Sequence, residues 1–169
     1  MGIIFRQGVV TDVPAVMEII DAAVDRMLRE GKQQWDESYP AVEHIMEDLR
    51  LGTGHVLVDD GHVVAYGAIV LTGEPAYDDI EDGDWLTDGS QYITVHRLAV
   101  AADMHGRGLA RRFIDIACDL AAARGIGSMR IDTNYDNGRM LRLLEGCGFE
   151  RCGIVRYEKG ERIAFEKLI

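Results

Sequence analysis

Two glycines one residue apart, Gly106 and Gly108, constrain this chain more than any other feature. Ahead of them Gln91–Val100 reads as a strand. Behind them Leu109, Phe113, Ile116, Ala117 and Leu120 recur at helical spacing as far as Arg124-Gly125. A strand, a glycine turn and a helix in direct succession at mid-chain point to a mixed α/β domain. The turn also has chemical meaning. The first turn of a helix leaves N–H groups unpaired at the positive end of the helix dipole, so it holds an anion such as phosphate. Glycine lets the backbone approach that anion without a Cβ in the way. A plain tight turn into a helix accounts for the two glycines equally well.

The rest of the chain supports a single domain over residues 1–169, with no repeat, low-complexity stretch or linker to divide it. Residues 2–9 form a strand candidate, and Thr11-Asp12 with Pro14 open a helix that runs to Gly31. A second helix begins near Pro40 and stops at Gly52. His55–Val58 and His62–Leu71 flank the turn Asp59-Asp60-Gly61 as a hairpin. A loop rich in Asp and Glu spans Thr72–Ser90. After the central helix come a strand (Ser128–Thr133), a helix (Asn137–Cys147) and two strands, Phe149–Tyr157 and Arg162–Leu168. The expected order is β-α-α-β-β-β-α-β-α-β-β.

Composition removes several classes of function. With 18 Lys plus Arg against 29 Asp plus Glu, the net charge of −11 argues against sequence-independent nucleic-acid binding. A content of 47% apolar and 28% charged residues suits a globular domain rather than a disordered one. No apolar run approaches the ~20 residues that span a bilayer. The start, Met1-Gly2-Ile3-Ile4-Phe5-Arg6, lacks signal-peptide anatomy. Cys118, Cys147 and Cys152 are an odd number without CxxC spacing, which implies free thiols and a cytoplasmic setting. The acidic run Asp78–Asp84 lacks the spacing of an EF-hand loop, so no metal is expected.

Other glycine motifs fit less well. A Walker loop needs GK[ST], which is absent. A dinucleotide fingerprint fits Gly106 and Gly108 but puts Arg111 at its third glycine, although Asp132 lies near the distance of a ribose-binding acid.

The stretch His105-Gly106-Arg107-Gly108-Leu109-Ala110, preceded by Leu98-Ala99-Val100, resembles the acyl-CoA signature Q/R-x-x-G-x-G/A of the GCN5-related N-acetyltransferase (GNAT) superfamily. A second block agrees: Asp132-Thr133-Asn134, then Asn137, Met140 and Gly148-Phe149. The resemblance covers residues 92–153 and implies a GNAT-like fold, with a central twisted mixed sheet of about six or seven strands flanked by about four helices. It implies acetyl-CoA as co-substrate, in a cleft between the strands Gln91–Val100 and Ser128–Thr133. Backbone N–H groups of His105, Gly106, Arg107, Gly108, Leu109 and Ala110 would hold its pyrophosphate. Leu98, Ala99 and Val100 would pair with the pantetheine arm, and Asn134, Asn137 and Met140 would contribute from the second block. The resemblance also suggests a homodimer, and an amine acceptor that is a small molecule or a peptide.

Two departures stand out. His105 replaces the usual Gln or Arg, which a contact through its N–H tolerates. Leu144 occupies the position of the family's usual general-acid Tyr. Acetyl transfer needs a neutral amine, so a base helps. His96 is the candidate, two residues before Leu98 and on its face unless a bulge intervenes. Tyr135 is the candidate acid, with Cys147 or a water molecule as alternatives. The resemblance implies that the loop carrying Trp35, Glu37 and Tyr39 lines the acceptor pocket, where an aromatic and carboxylates suit a cationic acceptor; a Trp anchoring the loop to the core, with solvated acids around it, accounts for the same residues. Two alternatives remain: a catalytically weak acyl-CoA-binding or sensing domain, and a nucleotide-binding oxidoreductase.

Overall fold

The computed structural model describes residues 2–89 and 91–169, so Met1 and Ser90, the latter ending the expected acidic loop, lie outside the described residues. The element order is the expected one. Helix α1 (Val13–Arg29) takes Pro14 in its first turn and buries Val16, Ile19, Ile20, Ala23 and Val24, a stripe at i, i+3, i+4, i+7 and i+8. Helix α2 (Val42–Leu51) ends at Gly52, whose φ of +74° lets the chain close on the last helical carbonyls.

Strands β1 (Ile3–Gln7), β2 (Gly54–Asp59), β3 (His62–Val70) and β4 (Thr94–Val100) form one sheet in the order β1-β2-β3-β4. The β2–β3 hairpin turns through Asp60 (φ +48°) and Gly61 (φ +80°), the paired positive angles of a tight two-residue turn. Helix α3 (Leu109–Ala123) and β5 (Ser128–Thr133) follow, then α4 (Gly138–Gly146), β6 (Glu150–Tyr157) and β7 (Gly160–Leu168). A second, antiparallel sheet has the order β5-β7-β6.

The fold is the mixed α/β one expected: among the described residues there are seven strands and four α-helices, with the strands in two sheets of four and three. Among the described residues, Ile93, just ahead of β4, makes a parallel bridge to Met129 of β5. Its N–H donates to the Ser128 carbonyl, and its carbonyl accepts from the Arg130 N–H, each at 2.9 Å. Four residues later Arg97 is left-handed, with φ +55°.

The chain divides into two compact units. One holds the chain up to Ile69 with His96–Phe113, and the other holds Val70–Val95 with Ile114–Ile169. Both β4 and α3 run from one unit into the other. In the first unit, α1 and α2 pack Val16, Ile20 and Ile45 with Val56 and Tyr66 of the sheet and with Trp35. In the second, Tyr77, Tyr92, Val155 and Ala164 make a smaller core. Residues 72–89 have structure of their own. Pro75–Asp78 forms a 3-10 turn, and Glu81 exchanges two 2.8 Å backbone bonds with Ile154. Gly83 is needed there, because a Cβ on it would stand 1.9 Å from the Cys152 carbonyl oxygen. No helix among the described residues is long and apolar enough to cross a membrane.

Candidate active site

The turn between β4 and α3 is built to leave backbone exposed. Met104 anchors it in the core, after which His105, Gly106, Arg107 and Gly108 are all exposed. Gly106 and Gly108 are left-handed, with φ +81° and +72°, and a Cβ on either would meet nothing within 4 Å. The first rung of α3 runs from the Arg112 N–H to the Gly108 carbonyl at 3.0 Å. The N–H groups of Leu109, Ala110 and Arg111 therefore precede the helical ladder. A positive helix end with open space over two glycines suits a phosphate group, and side chains at those positions would fill that space. His105 Nε2 lies 3.1 Å from the Val100 carbonyl, so its ring ties the turn back to β4.

On β4, His96, Leu98 and Val100 are half-buried, while Ala99 is in the core. Arg97 interrupts the alternation that would put His96, Leu98 and Val100 on one face. A left-handed residue with a Cβ costs ~1–2 kcal/mol. The side chain supplies the compensation. Nε and Nη2 of Arg97 donate to the two oxygens of Asp48 on α2, at 2.8 and 2.6 Å, and Nη1 donates to the Tyr39 hydroxyl at 3.0 Å. Tyr66 on β3 donates its hydroxyl to Asp48 at 2.5 Å. Burial alone would lower the Arg97 pKa, but Asp48 and Tyr39 outweigh it and hold the guanidinium charged. Burial, then Asp48, pushes the Tyr66 phenol above its ordinary range.

The same network orders the connection between α1 and α2. Trp35 is 6% exposed and belongs to the core, so it anchors this segment rather than lining an open wall. Asp36 and Tyr39 bond to each other through their backbones, and the Asp36 carboxylate accepts the Ser38 N–H at 2.7 Å. Glu37 is exposed, and the Tyr39 ring packs edge-on against His44 at 4.7 Å.

The remaining sequence-predicted residues lie in the other unit. Asn134 is buried and donates from Nδ2 to Asp136 at 2.7 Å. Asn137 caps α4, its Oδ1 accepting the Met140 N–H at 3.2 Å, and Met140 is half-buried. Tyr135 is 70% exposed, and Leu144 is fully buried. Asp132 accepts the hydroxyls of Tyr77 and Tyr157 on one oxygen, at 2.7 and 2.8 Å. Burial, then Asp132, raises both phenols. Among the described residues, no group of three or more His, Cys, Asp and Glu side chains could hold a metal ion.

The sequence matches the acetyltransferase (GNAT) family over residues 16–149. The chain belongs to the GNAT family of acetyltransferases. It is therefore an acyltransferase, and the oxidoreductase alternative falls. This GNAT chain is 31% identical to a GNAT-family acetyltransferase from Streptococcus agalactiae, with a TM-score of 0.90 over 100% of this chain and 96% of that one. A GNAT-family acetyltransferase from Listeria monocytogenes shares the fold at 18% identity and a TM-score of 0.75, over 99% and 95% of the two chains. So does a ribosomal-protein-alanine N-acetyltransferase from Brucella melitensis, at 19% and 0.71, over 98% and 99%. No match is found among curated proteins.

Sequence reasoning passed over Arg97 and Asp48. One signal was available: Asp48 falls three residues after Ile45, on the apolar face of its helix, where a carboxylate needs a buried partner.

Proposed function

We propose that this GNAT chain is an N-acetyltransferase that moves an acetyl group from acetyl-CoA directly to a primary amine. The observation carrying this reading is the pair of left-handed, unobstructed glycines at the start of α3. The backbone N–H groups from His105 to Ala110 hold the pyrophosphate, and main-chain groups of Leu98, Ala99 and Val100 receive the pantetheine arm. Asn134, Asn137 and Met140 complete the cofactor contacts. Acetyl-CoA supplies a thioester whose acyl carbon bonds to the amine nitrogen as the carbon–sulfur bond breaks and the thiol departs. His96 takes the proton that the amine must lose, since an amine of pKa ~10 is about 0.1% neutral at pH 7. The Leu98 N–H faces the oxygen that gains charge. Tyr135, exposed in the connection to α4, returns a proton to the departing sulfur. Glu37 and Tyr39 border the acceptor, which is a small molecule or a peptide. The buried free thiols suit a reducing compartment.

One observation favours a second reading. Leu144 is fully buried where the resemblance expects a Tyr hydroxyl, which suits a domain that binds acyl-CoA and turns it over weakly.

Thermal unfolding with and without acetyl-CoA, with NAD as control, separates these readings. At 100 times its dissociation constant the ligand adds ~2.7 kcal/mol, a rise of about 5–11 °C for a chain of this size. A rise with acetyl-CoA alone, followed by CoA release with one member of an amine panel, supports the enzyme. A rise without turnover supports the binding domain, and no rise defeats both. His96→Ala is expected to lower the rate at least tenfold near neutral pH, and an unchanged pH–rate profile would remove His96 from the reaction.

A further inference from the structure

We infer that Arg97 is a positioning residue. Its bidentate pair with Asp48 holds the strand backbone left-handed at residue 97, and so fixes the direction of the Leu98 N–H. The same guanidinium fastens Tyr39, and with it the α1–α2 connection, to that strand. The inference rests on the acetyl transfer proposed above.

Three observations support it. Arg97 is the one non-glycine residue inside a strand with positive φ among the described residues; the other two, Asp60 and Asp82, lie outside strands. A strained backbone persists only where its surroundings over-determine it. Here they do, since the pair is almost wholly buried, with 15% of the Arg97 side chain and 6% of the Asp48 side chain exposed. Tyr66 fixes the carboxylate from a third element. Finally, each nitrogen of this fork donates to one of two elements, α2 and the α1–α2 connection. Moving either would therefore be felt by the peptide between Arg97 and Leu98. The fork is spent on the protein's own groups, which makes it a poor candidate for touching a ligand directly.

Glycine provides the test, because it adopts φ +55° without strain whereas alanine does not. Arg97→Ala alone would strand a buried carboxylate, so the comparison uses two double variants, Arg97→Ala/Asp48→Asn and Arg97→Gly/Asp48→Asn. Both remove the same ion pair, and far-UV circular dichroism confirms that each is folded. The readout is the amide resonance of Leu98 in ¹⁵N-labelled protein, with and without acetyl-CoA. The glycine variant is expected to keep the wild-type resonance and its response to acetyl-CoA. The alanine variant is expected to move the resonance and to reduce that response at least threefold, while both keep the thermal shift given by acetyl-CoA. Retention of the wild-type resonance and response by both variants overturns the inference, because the backbone would then keep its conformation without the pair. If wild-type protein shows no thermal shift with acetyl-CoA, the proposed function fails instead, and the ligand-free resonances still decide whether the pair holds the backbone.

Discussion

A carboxylate with no exposed surface needs every donor around it, and Glu166 on β7 has them. It accepts from the Leu86 N–H at 2.6 Å, from the hydroxyls of Thr87 and Ser128, and from Arg130 Nε at 3.3 Å. The Arg130 guanidinium carbon itself lies over the rings of Trp85 and Tyr92, 4.2 and 4.6 Å from their centroids. Burial alone would raise the Glu166 pKa, but the hydroxyls of Ser128 and Thr87 and the Arg130 charge reverse this and hold it below the usual carboxylate range. A group whose folded pKa lies below its unfolded value binds fewer protons in the native state. Its contribution is therefore complete above the unfolded value of ~4.3 and fades as the pH falls toward the folded one. Glu166→Gln should cost about 3 kcal/mol at pH 7, because it leaves Arg130 buried without its counter-charge. Urea midpoints of the two proteins should converge as the pH drops below about 4. A gap of constant size between pH 7 and pH 3 would contradict this account.

Among the elements, the turn ahead of α3 separates two costs that a mutation usually mixes. A Cβ at Gly106 meets no protein atom, so Gly106→Ala carries only the strain of a left-handed alanine. That strain of about 1 kcal/mol should lower the ligand-free Tm by ~2–4 °C. A phosphate seated on the turn would meet the new methyl group, so the rise produced by acetyl-CoA should shrink by half or more. Equal losses in the two states would show that the ligand does not approach Gly106. This turn was legible in the sequence because its signal is local: two glycines, an apolar stripe and a stop at Gly125. The β2–β3 hairpin and α1 were legible for the same reason. The Arg97–Asp48 pair was not, since its partners stand 49 residues apart and no periodicity encodes such a meeting. Glu166 and Leu86, 80 residues apart, were hidden in the same way. Trp35 shows a different limit. Among polar neighbours its sequence fits a pocket wall or a core anchor alike, and burial against α1 and Val56 makes it core.

Across the whole molecule, the chain's two tryptophans fall one to each unit, Trp35 in the first and Trp85 in the second. Because β4 and α3 each run through both units, neither unit can unfold without breaking a strand and a helix that the other also uses. We expect one cooperative transition, as for a single domain. Trp85→Phe leaves Trp35 as the fluorescent reporter and Trp35→Phe leaves Trp85. In each variant, fluorescence and far-UV circular dichroism should give coincident urea midpoints. Separate midpoints within one variant would mean that the units melt independently. The cysteines provide another probe of the whole chain. Cys118, Cys147 and Cys152 are 8%, 4% and 7% exposed, and burial pushes the thiols of Cys118 and Cys152 up. An aromatic disulfide reagent attacks accessible thiolates, so the folded chain consumes little of it. In the proposed acetyl transfer its colour would count each CoA released, and in denaturant the same reagent counts three equivalents per chain as the fold opens.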